Sequence, residues 1–418
     1  MFSKALSKYN LLRRKVFKDS SYNLSSFELF ELILNKSPTY KKNIINFLIH
    51  LLFFLLSILI IIKCKLLGVK KANYLIINNN SLEDIRSKSI NSELNLKNYL
   101  NIVRSQNTKI LFKSIFYLEN VISHQSILYF SSLFVKEKKK ILKEKFNFIH
   151  ECNKNKNKIY LFIFNFLGIK KFITIDDYRE IQNFIKICKK LNIFSICYMH
   201  ARFSKYRVSL KYGNFDKYIV WSDYFKRKLL EINPIYKDKI LVSNFRKFKL
   251  IRNNFKANQV RILYFLDTMM DASRVISYLE QIKTNKKIKI FFRLKSNQID
   301  DKYFINYLNK NNFTFTNKEN LEKTVKKHKP NIFMATNSNA LIESYLYDCL
   351  PVLLKTKNDY SFDLIKENLV FYYSKNKNFS KFLFQIINKK NIKYKIFKKI
   401  WLSKSNQNLK KIFKKYDF

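Results

Sequence analysis

The 418-residue sequence predicts an α/β protein made of two doubly wound parallel-sheet domains behind an apolar N-terminal helix. Three observations lead there. Short runs rich in Ile, Phe, Tyr and Val alternate with segments of helical apolar spacing, and the series runs twice, broken by the polar, basic stretch 246–259. Strands that alternate with helices pair in parallel, because a crossover helix returns the chain to the same end of the sheet. Hydrophobic residues make up 47% of the chain and aromatics 16%, enough apolar surface for two real cores.

Residues 1–43 are polar and basic, with Lys4, Lys8, Arg13, Arg14, Lys15 and Lys18 near the start. SSFELFELIL (25–34) has the spacing of a short amphipathic helix, N-capped by Ser25 or Ser26. The run 44–62, IINFLIHLLFFLLSILIII, has no formal charge, and Lys41, Lys42, Lys63 and Lys65 fence it. Its length suits a bilayer, so it is expected to be a membrane-associated helix; it comes too late for a cleavable signal peptide. Basic residues on both flanks leave its orientation open, and an in-plane or re-entrant segment would keep both flanks on the cytoplasmic face. His50 inside the run is expected to be a tolerated neutral residue.

The first domain is expected over 72–250. Its strands are ANYLIINN (72–79), TKILFKSIF (108–116), KIYLFIFNF (158–166), KFITIDD (171–177), IFSICYMH (193–200), KYIVWS (217–222) and KILVSNF (239–245), with helices at 178–192 and DYFKRKLLEI. The Lys/Asn cluster NKNKNK (153–158) is expected to be an exposed loop. The second domain is expected over 258–376, with strands at VRILYFLD (260–267), KIKIFFRLK (287–295), FTFTN (313–317), NIFMATN (331–337), LPVLLKT (350–356) and LVFYYSK (369–375). Helices lie between them, and 377–418 is expected to be a basic helical tail. Two Rossmann-like halves imply a cleft, with ligands at the carboxyl ends of strands.

Lys and Arg number 81 against 30 Asp and Glu, a formal charge of +51. That excess raises nucleic acid or an anionic membrane as a partner. Lys, Asn, Ile, Phe and Tyr are all inflated beside only 3 Gly and 4 Pro, which is the imprint of AT-rich codons. Such a surface still adheres to anionic lipid; nucleic acid is not expected. Cys64, Cys152, Cys188, Cys197 and Cys349 are odd in number and dispersed, which argues against a disulfide framework or a zinc site. No P-loop, H-E-x-x-H or G-x-S-x-G pattern occurs.

Three constellations could carry chemistry. In MATNSNALIESYLYDCLPVLL (334–354), Thr336, Asn337, Ser338 and Asn339 are helix-capping types after a strand, suited to a phosphate. Glu343 then either accepts two hydroxyl hydrogens from a ribose or only complements the helix dipole. Asp176 and Asp177 end one strand and His200 another. Each is a candidate base, or else a helix cap and a solvated loop histidine. Arg293 and Lys295 suit a diphosphate, against a background of many cations. Asp267 and Thr268 end the first strand of the second half and line the cleft floor or cap a helix.

Ser338 and Glu343 in the spacing S-x4-E, then Pro351 and Val352 opening a strand, resemble the nucleotide-sugar motif of GT-B glycosyltransferases. Asp348-Cys349-Leu350 stand where that motif commonly has a glycine. The segment 170–206 and FDKYIVWSDYFKRKLLE (215–231) are similar to the N-terminal domain of bacterial capsule and lipopolysaccharide glycosyltransferases, with Met199-His200-Ala201 where many have Gln-His-Gly. Arg293-Leu294-Lys295-Ser296 stands at their Arg-x-His-Pro-like turn. The resemblance covers roughly 170–375. It implies a metal-independent GT-B transferase with no bound cofactor and a nucleotide-activated sugar as co-substrate. The turn Thr336–Asn339, Arg293 and Lys295 would bind phosphate, Glu343 the ribose, and His200, Asp176 or Asp177 would be the base. The acceptor would be a surface polysaccharide or lipid-linked glycan at the bacterial inner membrane, with the catalytic domains cytoplasmic. A polyol-phosphate transferase, a non-catalytic membrane-anchored anion- or glycan-binding protein, and a transferase that has lost activity are the rivals.

Overall fold

In the computed structural model the described residues are 4–9, 44–67, 74–78, 100–103, 120–133, 135, 142–174, 181–199, 201–204, 206, 210–211, 213–243, 259–266, 272–294, 302–316, 319, 321–356, 360–374, 378–404 and 407–416. The helix expected at 25–34, the strand expected at 108–116 and most of the expected linker lie outside them. The chain divides into two compact units, one of Ala5–Arg246 with Ser403–Phe418, the other of Lys247–Leu402 with Met1–Lys4.

The first unit is a seven-stranded sheet in the order β3-β2-β1-β4-β5-β6-β7. The strands are β1 (Tyr74–Asn78), β2 (Leu100–Val103), β3 (Asn120–Ser123), β4 (Lys171–Thr174), β5 (Phe194–Tyr198), β6 (Lys217–Val220) and β7 (Ile240–Val242). Every pairing is parallel. Its helices are α1 (Ile44–Leu66), α2 (His124–Leu133), α3 (Leu142–Leu167), α4 (Ile181–Lys190) and α5 (Asp223–Ile232). α1 is long and apolar enough to cross a membrane.

Two expectations are corrected here. Residues 158–166 are not a strand, and 153–158 is not an exposed loop: both lie in α3. The reason is one-sided burial. Cys152, Asn153, Lys156, Tyr160, Ile163 and Phe164 are all buried, and their spacing of three and four is that of one helix face. Lys156 Nζ donates to Asn153 Oδ1 at 2.6 Å inside that face, a bond between charges and amides that the sequence gives no sign of. The apolar run 159–167 thus reflects a helix end, and a short apolar run cannot by itself separate helix from strand.

That helix ends on one of the rare glycines. Gly168 takes φ +63°, its N–H donates to Asn165 O, and the Ile169 N–H reaches back to Phe164 O. This is the left-handed cap that favours glycine. Elsewhere asparagine does the same work. Asn192 closes α4 at φ 53° with Ile193 N–H on Cys188 O at 2.7 Å. Asparagine is among the side chains that best tolerate this region, so a glycine-poor chain keeps its helix stops.

The second unit is a six-stranded parallel sheet in the order β10-β9-β8-β11-β12-β13. The strands are β8 (Val260–Phe265), β9 (Ile288–Arg293), β10 (Thr314–Thr316), β11 (Ile332–Ala335), β12 (Leu350–Leu354) and β13 (Phe371–Tyr373). Between and after them lie α6 (Ala272–Leu279), α7 (Lys302–Lys310), α8 (Leu321–His328), α9 (Ala340–Glu343), α10 (Phe362–Lys366), α11 (Phe379–Ile387) and α12 (Lys390–Trp401). The chain starts in the middle at β8, winds to one edge, returns to β11 and winds to the other. The order therefore reverses between β8 and β11, the crevice where such sheets bind ligands.

The core on one face of this sheet is heavily aromatic. Tyr264, Phe292, Phe304, Tyr278, Tyr373 and Phe379 pack in it. Buried tyrosines need partners for their hydroxyls. Tyr278 Oη donates to Lys355 O at 2.6 Å, and on the other side Tyr345 Oη donates to Leu369 O at 2.8 Å. The last helix, α13 (Leu409–Lys415), belongs to the first unit. Lys171 Nζ donates to Tyr416 O at 2.7 Å, the Tyr416 ring stacks on Phe194, and the Gln407 N–H donates to Val242 O at 2.8 Å.

Candidate functional site

The site is built from one row of the second sheet. Register pairs Arg293 with Phe265, Phe265 with Ala335, and Ala335 with Leu353. These residues stand level at the carboxyl ends of β9, β8, β11 and β12. Strands lie about 4.8 Å apart, so Arg293 is about 10 Å from Ala335, within the combined reach of two long side chains. Thr336 follows Ala335 at the switch point.

The β11 turn is tightly organised. Thr336 is buried, whereas Asn337, Ser338 and Asn339 are half-buried. Asn337 Oδ1 accepts from Ser361 Oγ at 2.9 Å, which ties the turn to the start of α10. Ser338 Oγ accepts from the Ala340 N–H at 3.2 Å, a serine turn that starts α9. α9 makes a single α-helical turn and tightens into a 3-10 turn over Ser344–Tyr347. Its inner residues Ala340, Leu341, Ile342, Tyr345 and Leu346 are buried, so only a few positions remain for polar chemistry. Glu343 is one of them, and it is half-buried.

Glu343 lies within electrostatic reach of Arg293. Burial lowers the Arg293 guanidinium pKa, while Glu343, Tyr347 and Glu319 within coulombic reach push it back up. Arg293 Nη2 also donates to Glu319 O at 3.0 Å. Two side chains far apart in the sequence thus act on each other electrostatically at the carboxyl end of the sheet. Tyr347 and Glu319 join them unannounced by the sequence. Tyr347 lies one turn past Glu343, on the same side of the α9 to 3-10 segment, and that spacing is the signal that could have found it. Glu319 follows β10 in a polar loop with no pattern to mark it.

The glycine missing from the resemblance has a structural substitute. Asp348 takes φ 54°, ψ 31°, the left-handed conformation for which glycine is fitted. Lys393 on α12 holds it: Nζ donates to Asp348 O at 2.7 Å and lies 3.4 Å from Oδ1. Cys349 beside it is fully buried, with Sγ donating to Pro330 O at 3.1 Å, and burial pushes its thiol well up. It is a packing residue.

Lys295, Asp267 and Thr268 follow β9 and β8 but lie outside the described residues, as do Asp176, Asp177 and His200 in the first unit. The neighbours of His200 are described: Met199 and Ala201 are both buried. Among the described residues no cluster of His, Cys, Asp or Glu is arranged to hold a metal ion.

No protein-family model matches the sequence, and no curated protein matches it. Solved structures do. The UDP-GlcNAc 2-epimerase of Methanocaldococcus jannaschii, in complex with UDP-GlcNAc and UDP, aligns with 75% of this chain and 92% of its own, at 11% identity and a TM-score of 0.50. The apo lipopolysaccharide outer core galactosyltransferase WaaB aligns over 78% of this chain and 95% of its own, at 11% identity and a TM-score of 0.44. The UDP-GlcNAc 2-epimerase from Neisseria meningitidis bound to UDP-GlcNAc aligns over 82% and 99%, at 12% identity and a TM-score of 0.49. What this chain shares with the Methanocaldococcus jannaschii enzyme is a fold: two Rossmann-like parallel sheets in one chain, the GT-B architecture.

Proposed function

We propose that the protein is a GT-B glycosyltransferase that moves a sugar from a nucleotide-activated donor to a surface polysaccharide or lipid-linked glycan. The observation that carries this is the register that places Arg293 level with the start of the Thr336–Asn339 turn at the switch point of the second sheet, with Glu343 within electrostatic reach. A carboxylate suits the vicinal hydroxyls of a ribose, and a guanidinium suits a diphosphate. One crevice offering both fits a nucleoside diphosphate.

In this reading Glu343 holds the ribose, and Arg293 with Lys295 and the turn neutralises the phosphates. Catalysis then consists of orientation and stabilisation of the departing diphosphate, without a metal ion. His200, Asp176 or Asp177 takes the proton from the acceptor hydroxyl. The enzyme works at the cytoplasmic face of a bacterial inner membrane, where a lipid-linked acceptor lies. The solved structure at TM-score 0.50 contains UDP-GlcNAc and UDP, which supports a nucleotide-sugar ligand for this fold.

The test is calorimetric titration of the full chain with UDP, GDP, CDP and CMP, beside Glu343→Ala. One nucleotide should bind, and the variant should weaken it tenfold or more, about 1.4 kcal/mol. Equal binding of all four, untouched by the variant and lost in salt, would leave only charge and overturn the reading. Incubation with the matching sugar nucleotide then separates transfer, which needs an acceptor, from epimerisation, which does not.

A further inference from the structure

α1 has two faces that the fold treats differently. The inner face carries His50, Phe53, Leu56, Ser57, Ile60 and Cys64, all buried, and it packs on β3, α2 and α3. Polar contacts fix it. The backbone N–H of Ser123, in the edge strand β3, donates to Ser57 Oγ at 3.0 Å, and Ser57 Oγ donates to Phe53 O at 2.7 Å. His50 Nδ1 lies 3.4 Å from Ser126 Oγ. The outer face carries Leu48, Leu52, Leu55, Leu59, Ile62 and Leu66, which are 43% to 78% exposed. Their spacing of four and three keeps them on one side along the helix, which is about 34 Å long at 1.5 Å per residue. A row of exposed Leu and Ile side chains running about 27 Å, from Leu48 to Leu66, marks an interaction surface.

We propose that α1 lies in the plane of an anionic bilayer, with this outer face among the acyl chains and the first unit resting on one leaflet. Three features favour this over its rivals. Crossing the bilayer would pull the inner face away from the sheet, leave Ser57 and His50 in hydrocarbon, and uncover the edge of β3. A second copy of the chain would form a helical seam, and such seams carry charged residues beside the apolar stripe. Here no residue from 44 to 62 is charged, and Phe47, Ile49 and Ile58 beside the stripe are themselves exposed. The cations come at the two ends of the run: Lys41 and Lys42 precede it in the sequence, Lys63 and Lys65 lie in the last turn of α1, and Lys65 Nζ sits 2.8 Å from Phe166 O and 5.1 Å above the Phe166 ring. Phe162, also exposed, stacks on Phe166. An apolar floor with lysines and aromatics at its margin, in a chain of net charge +51, matches an interface of acyl chains under anionic headgroups. The packed protein stands where an ordinary interfacial helix has its polar face.

This deepens the membrane part of the proposed function, and its test uses no nucleotide or transfer assay, so failure of either is told apart. The full chain is floated with vesicles of phosphatidylethanolamine and phosphatidylglycerol, and with phosphatidylcholine alone. The wild type should float with the anionic vesicles. The triple variant Leu52→Gln, Leu55→Gln, Leu59→Gln should partition at least tenfold less while melting at the wild-type temperature. Leu55→Trp guards against a misfolded variant: its fluorescence should be quenched by lipids brominated on the acyl chain, and an unquenched signal overturns the proposal. Tags at the two chain ends report topology in inside-out membrane vesicles from expressing cells. Both should be digested from the cytoplasmic side. Protection of one tag means a spanning helix, and overturns the proposal. So does a dimer that ignores vesicles and that the triple variant splits into monomers.

Discussion

The two sheets follow one winding rule and place opposite chemistry at their margins. In the second unit the candidate chemistry is polar, partly buried and set at strand ends: the Thr336–Asn339 turn, Glu343 and Arg293 lie where the strand order reverses. In the first unit a row of exposed large apolar side chains sits beside a sheet edge, on α1 next to β3. A doubly wound sheet thus has two independent places to add function. Strand-end loops can change without disturbing the edge, and a helix laid on the edge leaves the strand ends free.

The contrast predicts different responses to the same substitution. Leu383 on α11 is fully buried in the core of the second unit, whereas Leu55 on α1 is half exposed. Leu383→Ala should cost about 2–5 kcal/mol of stability, because the lost methyl groups leave a cavity. Leu55→Ala in water should change stability by no more than about 0.5 kcal/mol. Thermal or urea unfolding of both variants checks this. Equal costs would mean that the α1 outer face is covered by protein, and would sink the contrast.

A smaller effect is expected at the site. Arg293→Lys keeps the charge but loses the planar fork that matches a diphosphate. Nucleotide affinity should fall about fivefold to tenfold, roughly 1 kcal/mol, by the arithmetic of binding. Stability should move little, since Arg293 is only half-buried. An unchanged affinity would detach Arg293 from the phosphates. Tyr345→Phe should cost about 1 kcal/mol in unfolding experiments, because it strands the buried Leu369 carbonyl that the hydroxyl now satisfies. Its ring is buried in the core, so binding should stay as it was.

Much of this was legible in the sequence, for a physical reason. The second unit is a regular alternation of buried strands and one-sided helices, and all six of its strands lie where β-branched and aromatic runs fall. Arg293 and Glu343 stand out in the sequence by chemistry and position, although their lying on the same side of the sheet's switch point depends on the register of β9, β8 and β11, which no local pattern encodes. The first unit was harder. β2 and β3 are four residues each, too short to show a period. The run 158–166 is apolar on several sides and misled by composition, while NKNKNK hides Lys156 in a core. Glu319 comes near Arg293 only through tertiary packing, whereas Tyr347 follows Glu343 at helical spacing.

The smallest predicted effect addresses the residue that departs from the glycosyltransferase pattern. Asp348 holds a left-handed backbone, which costs a non-glycine residue about 1–2 kcal/mol. Asp348→Gly removes that cost. It also gives the unfolded chain more freedom, worth about 0.4–1 kcal/mol against folding. The partly buried pair with Lys393 disappears as well, about 0–1 kcal/mol, although Lys393 can still donate to the backbone carbonyl. The three terms nearly cancel, so stability should stay within about 1 kcal/mol of wild type. Asp348→Val keeps the left-handed cost, adds crowding from its branched side chain and loses the pair, so it should be the least stable of the three. Unfolding of both variants, with nucleotide titration alongside, ranks them. If Asp348→Gly keeps its affinity while Asp348→Val loses stability, the position requires a conformation, and aspartate is a stand-in for glycine. If Asp348→Gly abolishes binding, the carboxylate itself is required, and the departure from the pattern is a change of chemistry at this turn.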